Sequence, residues 1–205
     1  MKTIVISTDD PLAISQALQV LQGGGLVAFP TDTVYGVAAP AFSAQGVEKL
    51  FFAKSRDAAK AIPILIGDPR QLSLVAAGVS RVAHRLAERF WPGPLTLVVP
   101  RHPGLPEIIS PLPTIGVRMP DHLLALALLR QSGPLATTSA NLSGGSNAQT
   151  AQEVLEQLAG RVDLILDGGA CPGGVPSTVV DCTTEALKII RQGPLSLVDL
   201  QQALS

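Results

Sequence analysis

Short runs of branched aliphatic residues alternate with stretches of helical periodicity along nearly all of the 205 residues. That alternation constrains the fold more than any other feature. Strands separated by helices rather than by tight hairpins need crossover connections, and such connections build layered α/β structures. Residues 2–6 read as a strand. Asp10-Pro11 then opens a helix, with Asp as N-cap and Pro at the first helical position. Ala13, Ile14, Ala17, Leu18 and Leu21 keep helical spacing, and Gly23-Gly24-Gly25 ends the run. Residues 26–29 form an apolar strand stopped by Pro30. Ser43 caps a helix to Lys54, with Val47, Leu50 and Phe51 facing inward. Strand 62–66, helix 79–90, strands 95–99 and 115–118, helix 122–131 and strand 135–138 follow. Thr150 and Glu153 form a capping-box pattern for a helix to Leu158. Strands at 164–167, 177–181 and 187–191 precede a short final helix after Pro194 and Ser196. With no internal repeat and no linker, the expectation is one α/β domain over residues 1–205 with a mixed sheet.

Composition narrows the function classes. The chain is 46% hydrophobic, enough for an ordinary core, but only 15% charged, against about 25% in a typical soluble domain. Net charge is -1 and the sequence pI is near 6.3. No global basic field exists to drive non-specific nucleic-acid binding, so any anion site must be local. Cys171 and Cys182 lack metal-ligand spacing and read as free thiols. The first residues are too short an apolar run for a secretory leader, and no run approaches the roughly 18 apolar residues of a membrane span. The expected setting is cytoplasmic, with no membrane contact.

Standard catalytic signatures are missing from the sequence: no Walker loop, dinucleotide glycine fingerprint, paired-histidine zinc helix or nucleophile elbow. His84, His102 and His122 are scattered. What stands out is polar residues placed directly after apolar strands, where α/β folds usually carry their sites. The first cluster is Pro30-Thr31-Asp32-Thr33-Val34-Tyr35-Gly36. Its threonines either cap a turn or face a ligand, and the ring of Tyr35, the only tyrosine, half-packs against a pocket wall. The second is Lys54-Ser55-Arg56 with Lys60 beyond. These cations suit a helix C-terminus. On an extended or looped segment, Lys54 and Arg56 would converge on a phosphate chain, the arginine gripping it bidentately. The third runs from Thr137-Thr138-Ser139-Ala140-Asn141 to Gly144-Gly145, whose hydroxyls, amide and glycines suit either an anion or nucleobase loop or a plain turn. Arg118 closes a buried strand and needs an acceptor, a ligand carboxylate or phosphate being one candidate. Ser177 and Arg191 repeat the theme of polar groups beside strands. Asp32, Asp167 and Asp181 lie near these motifs without metal-ligand spacing, and no metal ligand is assigned.

In this order the clusters resemble the threonylcarbamoyl-AMP synthase family, the YrdC-like domain, from about Leu12 to Leu195. The matching elements are Pro30-Thr31-Asp32-Thr33-Val34-Tyr35-Gly36, Lys54-Ser55-Arg56, Trp91-Pro92-Gly93-Pro94-Leu95-Thr96, Val117-Arg118-Met119-Pro120, Thr138-Ser139-Ala140-Asn141-Leu142-Ser143-Gly144, Pro176-Ser177-Thr178-Val179-Val180-Asp181 and Arg191-Gln192-Gly193. Each is short, but seven in register are highly specific. The resemblance implies a twisted open mixed sheet with flanking helices around a large concave basic cavity. It implies that L-threonine, bicarbonate and ATP give threonylcarbamoyl-AMP and pyrophosphate with Mg2+, for tRNA threonylcarbamoyladenosine modification, with transient contact to tRNA and a threonylcarbamoyl transferase complex. Carried over, the family's catalytic set falls on Lys54, Arg56, Ser139 and Asn141. ATP would be held by these with Lys60, Ala140 and Arg191, and threonine by Thr33, Arg118, Thr138 and Ser177. Two places depart from the family pattern: Arg56-Asp57-Ala58 stands where many members have Arg-Pro, and Ile62-Pro63-Ile64 where they have Asn-Pro-Leu. The length resembles the form without an added C-terminal domain. Two other readings are an RNA-binding module without catalysis and a related enzyme handling carbamoyl-AMP. Few stacking aromatics and the net charge of -1 speak against the RNA module.

Overall fold

A computed structural model of the chain describes residues 2–57, 59–184 and 186–204. The elements run β1 (Ile4–Ser7), α1 (Ala13–Gln22), β2 (Val27–Phe29), β3 (Gly36–Pro40), α2 (Ala44–Lys54), β4 (Ile64–Leu65), α3 (Leu72–Val75), α4 (Arg81–Phe90), β5 (Leu95–Pro100) and β6 (Thr114–Arg118). They continue α5 (Leu123–Ser132), β7 (Leu135–Ser139), α6 (Ala151–Leu158), β8 (Leu164–Asp167), β9 (Thr178–Asp181), β10 (Lys188–Arg191) and α7 (Leu197–Gln202). Among the described residues the strands form one open sheet in the order β1-β8-β2-β3-β7-β4-β6-β5-β9-β10. It is mixed, as expected. β8 lies parallel to β1 and β2, β4 to β6 and β5 to β9. The other pairs are antiparallel.

Alternate residues of a strand point to opposite faces, and here the two faces have different fates. One face is apolar across most of the sheet. Val37, Ala136, Ile64, Val117, Leu97 and Val180 pack against Val47 and Leu50 of α2, Ala83 and Leu86 of α4, and Val154 and Leu158 of α6. The opposite face is apolar only toward the β1 side, where Phe29, Ala38, Leu135 and Leu166 pack against Ala17 and Leu21 of α1 and Leu128 and Leu129 of α5. Past β7 that face mixes small and polar residues with Leu65, Val98 and Val179, and it is here that the cavity opens.

Local chemistry explains most boundaries. Ser43 Oγ accepts from the Gly46 N–H and starts α2 as expected. The helix stops when Ser55 enters the left-handed region at φ 49. Ser196 and Asp199 form a reciprocal capping box on α7. Two expectations need correction. Helix α1 begins at Ala13, not at Pro11, because the Asp10 carboxylate accepts from Leu12 N–H at 2.8 Å and holds a turn there. At α6, Thr150 caps as expected, but Glu153 reaches back to Gln149 N–H rather than to Thr150, so the box is offset by one residue. β3 and α3 were not expected at all. Both cysteines are free and buried. No helix among the described residues is long and apolar enough to cross a membrane.

Candidate active site

A cavity of about 400 Å³ occupies the part of the second face that no helix covers. Its floor is made by alternate residues of the central strands: Gly36 on β3, Thr137 on β7, Gly116 on β6, Thr96 and Val98 on β5, and Val179 on β9. Gly36 and Gly116 keep this floor low. A Cβ on Gly36 would stand 2.8 Å from Thr137 Cγ2, and one on Gly116 3.1 Å from Thr96 Cγ2 and 3.3 Å from Pro63 Cβ. The walls come from loops, from the segment after α2 and from the end of β10, including Thr31, Thr33, Arg56, Asn147, Ser177 and Arg191.

At one wall stands Arg118, only 6% exposed at the end of β6. Its Nε donates to Gly93 O at 3.0 Å, Nη1 to Thr33 Oγ1 at 2.9 Å and Nη2 to the Asp32 carboxylate. Burial pushes the guanidinium's pKa down, and the charge of Asp32 opposes that push. The hydroxyl protons are ordered by this network. Thr31 donates to Val34 O at 2.7 Å, so Thr33 donates to Thr31 Oγ1 at 3.0 Å and keeps a lone pair for Arg118. The acceptor that a buried arginine needs is thus present inside the chain, in Asp32, as well as in any ligand.

The other two cavity arginines are anchored differently. Arg56 donates to Lys60 O at 3.2 Å and Ala61 O at 2.9 Å. Arg191 donates to Ser177 O at 3.1 and 2.8 Å and to Ser177 Oγ at 3.2 Å. Burial lowers the pKa of both. Among the described residues, Arg118 is the only one of the three within salt-bridge distance of a carboxylate. Ser177 Oγ also meets Thr96 Oγ1 at 2.8 Å, which ties the β9 end to the floor. Tyr35 is fully buried. Its hydroxyl donates to Gly169 O at 2.8 Å and accepts from Gly168 N–H at 3.2 Å, and burial raises its pKa to about 12. It braces the 167–169 segment as a neutral phenol and is more deeply packed than the half-packed ring expected.

Of the residues given a catalytic or binding role in the sequence analysis, Thr33, Arg56, Arg118, Thr138, Ser139, Ser177 and Arg191 line the cavity. Four do not. Lys60 projects into solvent. Ala140 is buried, with its N–H bonded to Tyr35 O at 2.8 Å. Lys54 does not converge with Arg56 on the cavity. Helix α2 continues through it, its side chain is 1% exposed, and its ammonium donates to Ser139 O and Asn141 O. Burial, followed by the nearby charge of Arg56, pulls its pKa to about 7. Asn141 is 5% exposed. Its Nδ2 donates to Leu142 O and Gly145 O, while its Oδ1 is buried without a hydrogen-bond partner among the described residues. Lys54 and Asn141 therefore build the 139–145 loop from behind.

Thr137, part of the third polar cluster, lines the floor; sequence reasoning missed Gly116 and Asn147 as lining residues, the placement of Thr96 on the floor, and the pairing of Asp32 with Arg118. Thr96 had a readable signal: it is a hydroxyl at an alternating position within an apolar strand. No group of three or more His, Cys, Asp or Glu that could hold a metal ion occurs among the described residues.

Comparison with known proteins gives a consistent picture. The Sua5/YciO/YrdC family model, described as "Telomere recombination", matches residues 19–193. The threonylcarbamoyl-AMP synthase of Bacillus subtilis is 40% identical over 202 residues, covering 97% of this chain and 58% of that protein. The crystal structure of Pyrococcus abyssi Sua5 complexed with L-threonine superposes with a TM-score of 0.94 at 39% identity, over 100% of this chain and 61% of that one. Escherichia coli YciO superposes with a TM-score of 0.85 at 27% identity, covering 97% of this chain and 98% of its own. The chain thus spans about three fifths of the length of the Bacillus and Pyrococcus proteins.

Proposed function

The chain belongs to the Sua5/YciO/YrdC family, and from that premise we propose that it is an L-threonylcarbamoyladenylate synthase. As a nucleotidyltransferase it would convert L-threonine, bicarbonate and ATP to threonylcarbamoyl-AMP and pyrophosphate, in the cytoplasm, for tRNA threonylcarbamoyladenosine modification. The observation that carries this reading is the cavity's charge layout. Arg56 and Arg191 face one space without a carboxylate partner among the described residues. Unpaired guanidinium groups in a sheltered site favour a polyanion such as a triphosphate.

The chemistry asks little covalent work of the protein. The threonine amine attacks the carbonyl carbon of bicarbonate, water is lost and a carbamate forms. A carbamate oxygen then attacks the α-phosphorus, the α–β bridging P–O bond breaks, and the electron pair leaves with pyrophosphate. Such a step depends on positioning and charge neutralisation. In this reading Arg56, Arg191 and Ser139 hold the nucleotide's phosphates. Thr33, Arg118, Thr138 and Ser177 hold threonine, with Arg118 directed at its carboxylate. Lys54, Asn141 and Ala140 act through the loop they shape, and Lys60 assists ATP from solvent. Magnesium would enter with ATP, whose phosphates supply oxygen ligands for it. The product would pass to a transferase complex and tRNA by transient contact. The non-catalytic RNA module is not favoured at a net charge of -1.

The test is pyrophosphate release by the purified chain supplied with ATP, magnesium and bicarbonate. Release that depends on added L-threonine is expected. Release that is equal without threonine, or absent, would overturn the reading.

A further inference from the structure

The three cavity arginines are not equivalent, and the difference lies in one carboxylate. Arg118 and Asp32 form an ion pair, with their side chains 8% and 13% exposed. Together they carry no net formal charge. Arg56 and Arg191 hydrogen-bond to main-chain carbonyls and the Ser177 hydroxyl, and neither is in an ion pair among the described residues, although the charge of Asp57 acts on Arg56 from outside hydrogen-bond distance. One cavity therefore holds a charge-paired donor set at Arg118, within reach of the charge of Arg191, and guanidinium groups without an ion pair at Arg56 and Arg191.

These two environments suit different ligands. A phosphate is held largely by net charge, whereas an amino-acid zwitterion has none and is held by directed hydrogen bonds. Arg118 still offers them: three of the five guanidinium N–H groups are used by Gly93, Thr33 and Asp32, which leaves two. We propose that Asp32 is a specificity-determining residue, cancelling the charge of Arg118 so that this end of the cavity takes an amino-acid zwitterion and rejects phosphate groups. The proposal rests on the two-substrate reading above. It adds a reason why the Arg118 position favours the amino acid over a phosphate group.

Neutralising Asp32 leaves Arg118 uncompensated. A unit charge a few ångströms from a bound anion, in a medium of intermediate dielectric, changes its affinity by about tenfold or more. Calorimetric titration of L-threonine, alone and against increasing inorganic phosphate, reads this directly. In Asp32→Asn and Asp32→Ser, phosphate should compete with threonine at least about tenfold more strongly than in the parent chain. Asp32→Glu, which keeps the charge, should retain the parent's selectivity. Equal phosphate competition in the parent and the neutral variants overturns the proposal, as does an Asp32→Glu variant that behaves like Asp32→Asn. A parent chain that binds no threonine at all overturns the two-substrate reading instead, so the two failures are distinct.

Discussion

Lys54 offers the sharpest physical test of the structure. Its ammonium is 1% exposed, touches two carbonyl oxygens and has no carboxylate partner among the described residues. Burial first, and the charge of Arg56 second, lower its pKa from 10.5 to about 7. In the unfolded chain the lysine regains its ordinary value. Between about pH 7 and 10.5 the unfolded chain therefore binds a proton that the folded chain does not, and stability rises with pH across that window. Below pH 7 folding carries the full cost, about 5 kcal/mol for a shift of this size. Lys54→Met removes the titration. It also leaves the carbonyls of Ser139 and Asn141 without this donor, a loss of about 1–3 kcal/mol each that is the same at every pH. Comparing the two chains at two pH values cancels that loss and every shared titration. Urea denaturation at pH 7 and pH 9 should show the parent gaining about 2 kcal/mol on the variant. Parallel pH dependence in the two chains would refute the argument, because Lys54 would then keep its proton in the folded state.

Arg118→Ala should weaken threonine binding more than ATP binding in calorimetric titrations. It should also lower stability by about 3 kcal/mol through the unpaired Asp32; a larger loss for ATP would reject the assignment of this arginine. Gly193→Ala should cost about 3 kcal/mol. The added Cβ would lie 2.4 Å from Thr178 N and 2.5 Å from Pro176 O and Ser177 C, which are main-chain atoms that cannot swing away. An unchanged thermal midpoint would show that the segment has room the structure denies it.

The sequence made some elements plain and hid others for physical reasons. Residues 164–167 are a branched aliphatic run bounded by turn residues, and β8 has those limits. Ser43 and the inward spacing of Val47, Leu50 and Phe51 specify α2 locally. By contrast β3 reads Gly36-Val37-Ala38-Ala39-Pro40, with one β-branched residue. Its strand character comes from pairing with β2 on one side and β7 on the other, and strand preference depends heavily on such context. The site divides in the same way. Arg56, Arg118 and Ser177 stood out as polar groups at the ends of apolar segments. The Asp32–Arg118 pair joins residues 86 positions apart, which no local pattern encodes. Lys54 and Arg56 looked equivalent in the sequence. The left-handed turn at Ser55 separates them, leaving one against the loop carbonyls and the other in the cavity.

The floor of the cavity has a consequence for how proteins of this shape can change. Along Leu95-Thr96-Leu97-Val98-Val99, the odd positions belong to the helix-packed core and the even positions face the ligand space. The same division holds where Gly116 and Arg118 alternate with Ile115 and Val117. Foundation and workbench are thus written on interleaved letters of the same strands. A lineage can revise what the floor recognises one residue at a time while each neighbouring residue goes on packing beneath it. Innovation in substrate choice need not be preceded by reinvention of the scaffold.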